Sequence, residues 1–184
     1  MSNADDRYIE VEVRGIAIEQ NSKAPILLLE DEQRKVLLPV WIGMSEASAI
    51  AAAAEGAEPR RPMTHDLTTT LLLALEAHLD RVDICALEQG TFFANLVLTD
   101  IDGFEHHIDC RPSDGVALAL RNKAPIRVAA NVFAEAQTLG AEILEDEEEG
   151  PVAPMALADD DDARDRLAAW LVSSEPEALT KYKM

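Results

Sequence analysis

The chain has 184 residues, of which 48% are hydrophobic but only 4% aromatic, and its formal net charge is -19. This length can bury one sizeable core, so we expect one main domain with an appendage. The acidity disfavours sequence-blind binding of nucleic acid, because the phosphate backbone would be repelled. The location of the charge weakens that objection, since residues 142–165 alone hold eleven Asp and Glu against one Arg.

Cysteine usage and hydropathy predict a cytoplasmic protein with reduced thiols. Cys85 and Cys110 have no C-x-x-C spacing, and no secretory signal is recognised. The longest apolar run, near Leu71, is interrupted by Glu76 and His78, so we expect no membrane span.

The first third of the chain predicts three strands and a helix. After a polar leader over residues 1–7, apolar and polar side chains alternate from Tyr8 onward, which is typical of a strand with one wet face. Residues 26–29 and 36–40 predict two more strands joined in a hairpin. The Ala-rich residues 45–54 predict a helix, because Ala has the best helix propensity.

A second helix is predicted after a proline-containing loop. Residues 67–79 place apolar side chains at helical spacing. The members of this stripe are Leu67, Leu71, Ala74, Leu75 and Leu79. Thr64 or Asp66 is expected to cap the helix.

Residues 82–87, 91–98 and 104–108 then predict an antiparallel meander. Residues 125–128 are short and apolar, and residues 132–139 predict a last small helix.

The elements together predict a mixed α/β domain of the α+β class over residues 8–141, with a largely antiparallel sheet flanked by helices. Residues 142–162 predict a solvated acidic linker, because they hold too little apolar surface to pack. Residues 163–184 predict a C-terminal helix and tail. The helical part has an apolar edge of Leu167, Trp170 and Leu171.

The chain is organised around a predicted strand-to-helix junction. The ring of Pro112 keeps Arg111 in extended geometry, so the strand ends there. Ser113 is expected to cap the following helix, with Asp114 in its first turn. Together with Asp109, the junction holds two carboxylates and one guanidinium, and such fixed polar groups are commonly used for binding and catalysis.

Several separate motifs, in order along residues 8–139, resemble the bifunctional nuclease domain family. They are the strand end Leu38-Pro39-Val40-Trp41-Ile42-Gly43, then Glu46-Ala47, Pro62 with Thr64-His65-Asp66-Leu67, and Asp109 with Arg111-Pro112-Ser113-Asp114. The resemblance implies a compact mixed α/β domain, association into homo-oligomers and a nuclease activity toward RNA and DNA. Gly115 and Val116 depart from the Ala and Ile that the family more often has.

Phosphodiester hydrolysis uses carboxylates that hold divalent metal ions, or a His base beside cationic groups. The expected catalytic residues are His65, Asp66, Asp109 and Asp114. The expected substrate-binding residues are Arg60, Arg61, Arg111 and Ser113. The expected ligands of Mg²⁺ or Mn²⁺ are Glu46, Asp109 and Asp114. The resulting hypothesis is a cytoplasmic, metal-assisted nuclease acting on RNA, DNA or both.

Structural roles compete with this hypothesis. Asp66 and Ser113 also fit helix caps, and Arg111 also fits an internal ion pair with Asp109 or Asp114. His106 and His107 are consecutive on a predicted strand and face opposite sides, which argues against one shared metal.

Two other functions stay open. In the first, the protein is a non-catalytic, homo-oligomeric module that binds an acidic ligand or a protein partner. In the second, it is a regulatory oligomer that presents its acidic tail to a basic partner.

Overall fold

The computed structural model describes residues 8–19, 22–31, 33–34, 36–57, 59–136 and 154–156. They form a mixed α+β fold, as the sequence predicts. The strands are β1 (Tyr8–Ile18), β2 (Pro25–Asp31), β3 (Val36–Trp41), β4 (His78–Glu88), β5 (Thr91–Thr99), β6 (Glu105–Cys110), β7 (Ile126–Ala129) and β8 (Pro154–Ala156). The helices are α1 (Met44–Ala54), α2 (Thr64–Ala74), α3 (Pro112–Asn122) and α4, whose described part covers residues 130–136.

The strands form one sheet in the order β3-β2-β1-β7-β4-β5-β6, with β8 beside β1. All pairings are antiparallel except that of β4 with β7. β7 is the last strand of the main domain in sequence, yet it lies between β1 and β4. The two antiparallel halves of the sheet, β1–β3 and β4–β6, are therefore joined through a short strand that the chain forms last.

A buried ion pair marks the parallel pairing. Asp83 of β4 is 5% exposed and is the register partner of Arg127 on β7. Arg127 donates to both Asp83 oxygens, at 2.8 and 3.1 Å, and Arg81 donates at 3.2 Å. Two guanidinium groups therefore compensate the one buried carboxylate.

The helices pack against one another and against the sheet, with α1 on β2 and α3 on β4 and β5. The packing of α3 is close at Gly115, where an added Cβ would lie 2.7 Å from Cγ1 of Val82 and 3.3 Å from Sγ of Cys110. This contact brings the start of α3 down onto the end of β6. It thereby sets where the polar side chains of the junction lie.

The strand-to-helix junction is confirmed, with β6 ending at Cys110 and α3 beginning at Pro112. The predicted cap is wrong in detail. Arg111 occupies the N-cap position in extended geometry, and Ser113 is the second residue inside the helix. No side chain caps α3, because Pro112 takes the first helical position and moves the start one residue before Ser113.

The second helix is shifted from its predicted bounds. α2 covers Thr64–Ala74, and Leu79 is a buried residue of β4 instead of the last member of a helical stripe. Leu67, Leu71 and Leu75 are all at least half exposed. The helical spacing of these leucines therefore predicts the helix but not which side of it is buried.

The leader at residues 1–7 and most of the predicted linker and tail lie outside the described residues. Within the predicted linker, Pro154–Ala156 pair with Gly15, Ile16 and Ala17 of β1. None of the helices in the described ranges is long and apolar enough to cross a membrane.

Candidate functional site at three helix starts

The first turns of α1, α2 and α3 bring polar side chains from distant parts of the chain together. Each helix has an acidic residue at its third position, and these are Glu46, Asp66 and Asp114. Such a carboxylate is favoured by the positive end of the helix dipole. We use the name helix-start cluster for Glu46, His65, Arg111 and Asp114.

His65 and Asp114 form the central pair of the cluster. Nε2 of His65 lies 3.1 Å from Oδ1 of Asp114, although the two residues are 49 positions apart. The His65 side chain is 14% exposed and that of Asp114 is 31% exposed. The pair is thus partly shielded from water but still accessible.

Arg111 lies between two carboxylates. Its Nε and Nη2 donate to Asp114 at 2.7 and 3.2 Å, and its Nη1 lies 2.8 Å from Oε1 of Glu46. These contacts raise the pKa of the guanidinium above its ordinary value, with the Asp114 hydrogen bond as the main cause. The side chain is still 65% exposed, so Arg111 is both held in place and open to solvent.

The two carboxylates are held in their charged form. Burial acts to raise the pKa of Asp114, but hydrogen bonds from Arg111 and His65 outweigh burial and leave this pKa below its ordinary value. Burial also acts to raise the pKa of Glu46. Bonds from its own backbone N–H, from Ser45 and from Arg111 lower it overall.

Gly43 makes room for Glu46. A Cβ at position 43 would overlap Oε2 of Glu46, so the folded-back carboxylate occupies the space of the missing side chain. Ser45 donates to the same oxygen at 2.9 Å. The carboxylate is therefore positioned by its own first turn as well as by Arg111.

Arg121 is the residue that the sequence analysis missed. Its Nε donates to Oδ1 of Asp66 at 2.6 Å, and its Nη1 donates to the carbonyl oxygens of Ala49 and Ala117 at 3.1 and 2.9 Å. One guanidinium thus connects α1, α2 and α3. One signal in the sequence could have identified it. Arg121 is a single arginine near the end of an otherwise apolar helix, and a charged side chain on a buried helix requires a partner.

Asp66 uses both carboxylate oxygens in local structure. Oδ1 accepts from Arg121, and Oδ2 accepts from the backbone N–H of Met63 at 2.8 Å. The Arg121 bond is the main reason that the pKa of Asp66 is lowered. The catalytic role expected for Asp66 stays a prediction, and its contacts are those of a positioning residue.

Asp109 is not brought into the helix-start cluster. It is an exposed residue of β6, and the neighbouring Cys110 packs toward Gly115 of α3. Because successive side chains of a strand face opposite sides, Asp109 points away from α3. Its expected catalytic and metal-binding roles have no support from this geometry.

The described residues leave the expected site for Mg²⁺ or Mn²⁺ a prediction. They contain no group of three or more His, Cys, Asp or Glu side chains arranged to hold a metal ion. Glu46 and Asp114 do come near each other, but the guanidinium of Arg111 is the cation between them.

The other expected substrate-binding residues differ in accessibility. Arg60 and Arg61 are exposed in the loop before α2, and neither forms an ion pair with any residue that the structure describes. Ser113 is 6% exposed and so is shielded from a large substrate.

The thiol of Cys110 and the consecutive histidines His106 and His107 lie outside the helix-start cluster. Burial, followed by the charges of Asp114 and Asp109, raises the pKa of Cys110 to about 12, so this thiol stays protonated. His106 and His107 pair separately, with Asp100 at 2.6 Å and Glu105 at 2.8 Å.

Comparisons with known proteins agree with these motifs. Residues 26–140 match the family model of the bifunctional nuclease domain. Over 132 residues the chain is 46% identical to two proteins of Mycobacterium tuberculosis, named uncharacterized protein MT1877 and uncharacterized protein Rv1829. Each match covers 71% of this chain and 77% of the relative. The chain therefore belongs to the bifunctional nuclease domain family.

Proposed function

We propose that this nuclease-like domain hydrolyses phosphodiester bonds in RNA, DNA or both, and that the helix-start cluster is its site. The observation that carries the proposal is the His65–Asp114 pair, with 3.1 Å between Nε2 and Oδ1. A histidine oriented by a carboxylate is a common arrangement for moving a proton at a reacting oxygen.

His65 is the proposed general base. When its Nε2–H donates to Asp114, Nδ1 is the ring nitrogen that can accept a proton from the attacking hydroxyl or water. Asp114 holds the ring in that orientation and stabilises the positive charge that forms. Arg111 in turn holds Asp114 through two hydrogen bonds.

The proposed phosphate contacts come from the cationic side of the site. Arg111 is 65% exposed, and Arg60 and Arg61 precede His65 by only a few positions. Guanidinium groups suit phosphate because their planar N–H donors match two phosphate oxygens. These three arginines also offset the repulsion that an acidic chain exerts on nucleic acid.

A divalent metal enters the proposal only as a variable of the experiment. The described residues contain no group of three or more His, Cys, Asp or Glu side chains that could hold a metal ion, and the steps above are assigned to the side chains. The assay therefore compares Mg²⁺, Mn²⁺ and EDTA with each substrate.

The test is cleavage of labelled single-stranded RNA and DNA by the purified full chain. We expect His65→Gln and Asp114→Asn each to lower the rate by about 10²-fold or more, as for loss of a general base. His106→Gln is the matched control, because His106 forms a similar His–Asp pair outside the cluster. Thermal unfolding verifies that each variant is folded. Equal rates in the His65 and His106 variants would refute the proposal.

A non-catalytic binding module is the second candidate. It is favoured by the contacts of Arg111, whose Nε, Nη1 and Nη2 all lie within bonding distance of carboxylates, as in a structural ion-pair network. If this candidate is correct, oligonucleotide or acidic peptide binds, Arg111→Ala abolishes that binding, and no cleavage accompanies it at any metal concentration.

We also propose that the domain forms a homo-oligomer. Among the described strands, β6 lies at one end of the sheet; Phe104, just before it, is 65% exposed, and Ile108, within it, is 46% exposed. An exposed edge strand with apolar neighbours is suited to pairing with a second copy. Sedimentation velocity tests this proposal, with Ile108→Lys expected to give a smaller species than the wild-type chain.

A further inference from the structure

One face of α2 is apolar and lies open to solvent. We use the name α2 apolar face for Met63, Leu67, Leu71 and Leu75, which are 62, 52, 52 and 71% exposed. Their spacing of four residues places them along one side of the helix. None of the α2 side chains is buried by the residues that the structure describes. A continuous apolar face of this kind is typical of an interaction surface.

A positive charge adjoins one end of this face. Arg60 and Arg61 lie immediately before Met63 and are exposed. At the opposite end, just past Leu75, the chain carries Glu76. The surface therefore runs from cationic to apolar to anionic in the direction of α2.

The same chain contains a segment in which acidic residues precede apolar ones, as the arginines precede the apolar residues of α2. Asp159, Asp160, Asp161 and Asp162 precede the predicted helix that carries Leu167, Trp170 and Leu171. This segment lies outside the described residues. Leu67 follows Arg61 by six positions and Leu167 follows Asp162 by five, while Leu71 and Leu171 each follow four positions later. In a parallel alignment, acidic residues meet arginines and leucines meet leucines.

The antiparallel alignment is unfavourable. It would place the four aspartates beside Glu76, where like charges repel. The pairing of the four aspartates with Arg60 and Arg61 therefore favours the parallel orientation and this segment as the occupant.

The connection is long enough for the segment to reach the face. β8 ends at Ala156, and eleven residues lead from there to Leu167. Extended, they span up to about 36 Å. A domain of this size has a radius of gyration of about 14 Å, so the reach is comparable with its full width.

We propose that residues 159–171 of this chain dock on the α2 apolar face, with the aspartates against Arg60 and Arg61 and with Leu167, Trp170 and Leu171 against the leucines of α2. Docking neutralises the two arginines. If these arginines also hold nucleic acid, the acidic segment competes with it. This last consequence rests on the proposed function, whereas the docking itself does not.

The test uses Trp170 as a fluorescent reporter in the full chain. The sequence has two tryptophans, so Trp41→Phe leaves Trp170 as the single one. Quenching by acrylamide, which is uncharged, measures how accessible its ring is. We expect Trp170 to be protected at low and high protein concentrations alike, and Leu67→Glu with Leu71→Glu to increase quenching several-fold.

The chain offers matched controls for both parts of the contact. Leu73 is 62% exposed but lies about 200° around the helix from Leu71. Leu73→Glu is therefore expected to leave Trp170 protected. Arg60→Glu with Arg61→Glu is expected to expose Trp170, and adding Asp160→Lys with Asp161→Lys is expected to restore protection.

Three outcomes would overturn the proposal. Trp170 could be fully accessible before any α2 substitution is made. It could be protected but insensitive to the Leu67 and Leu71 changes, which would place the segment elsewhere. Finally, protection that develops only on self-association would identify a second copy as the occupant. None of these readouts involves cleavage, so the proposed nuclease activity can fail or succeed independently.

Discussion

At the scale of single residues, Arg121 does the most to connect the three helices around the site. Its side chain is 12% exposed and contacts Asp66, Ala49 and Ala117. Because Asp66 also holds the start of α2 through Met63, this guanidinium positions the turn that carries His65.

We predict that Arg121→Met lowers the free energy of unfolding by about 2 kcal/mol. The substitution leaves Asp66 without its main partner. The expected loss of stability is smaller than that for breaking a fully buried ion pair, because the Asp66 side chain is 26% exposed. Urea unfolding of the full chain measures the change. Arg14→Met is the control, since Arg14 is 65% exposed and 3.7 Å from Glu30, and its loss is expected to cost about 0.5 kcal/mol or less. Equal losses in the two variants would contradict this role.

At the scale of elements, the close packing of α3 on β4 determines where the helix-start cluster lies. Gly115 allows the approach, because a side chain there would meet Val82 at 2.7 Å. The junction after β6 then presents Asp114 toward α2.

We predict that Gly115→Ala destabilises the domain by about 1 kcal/mol. Overpacking against Val82 costs about 1–3 kcal/mol, and the better helix propensity of Ala offsets part of that cost. In a Val82→Ala background the same change is expected to be neutral or stabilising, because the clash is removed. A double-mutant cycle by urea unfolding measures the coupling. If the free-energy changes of the two substitutions were strictly additive, the contact between position 115 and Val82 would not limit how closely α3 packs on β4.

At the scale of the whole molecule, the acidic residues at the helix starts link stability to pH. The pKa values of Glu46, Asp66 and Asp114 are all lowered in the folded chain. The unfolded chain therefore binds more protons as pH falls through the ordinary range of carboxylic acids, near pH 4. Stability contributed by these groups is complete above that range and is lost below it.

We predict that the free energy of unfolding falls steadily when pH is lowered from about 5 to about 3. The slope of this fall is expected to be smaller in Asp114→Asn, which no longer has the titrating group. Urea unfolding at a series of pH values gives both slopes. An unchanged slope in the variant would mean that Asp114 does not contribute to the acid sensitivity.

Local patterns explain which features could be predicted. The end of β6 and the start of α3 follow from Pro112, whose ring restricts both itself and Arg111. The candidate residues His65, Arg111 and Asp114 were found because they belong to motifs that are short in sequence. Arg121 was missed because its partners lie on other helices.

The sequence by itself determined the order and type of the elements from Tyr8 to Asn122, because alternation, helical spacing and proline geometry are properties of neighbouring residues. The tertiary structure alone decided that β7 enters the sheet between β1 and β4 and that His65 meets Asp114. It also decided that the leucines of α2 face outward, because helical spacing identifies a side of a helix but not what covers it. These features depend on packing between segments far apart in the chain, and no local pattern encodes that packing.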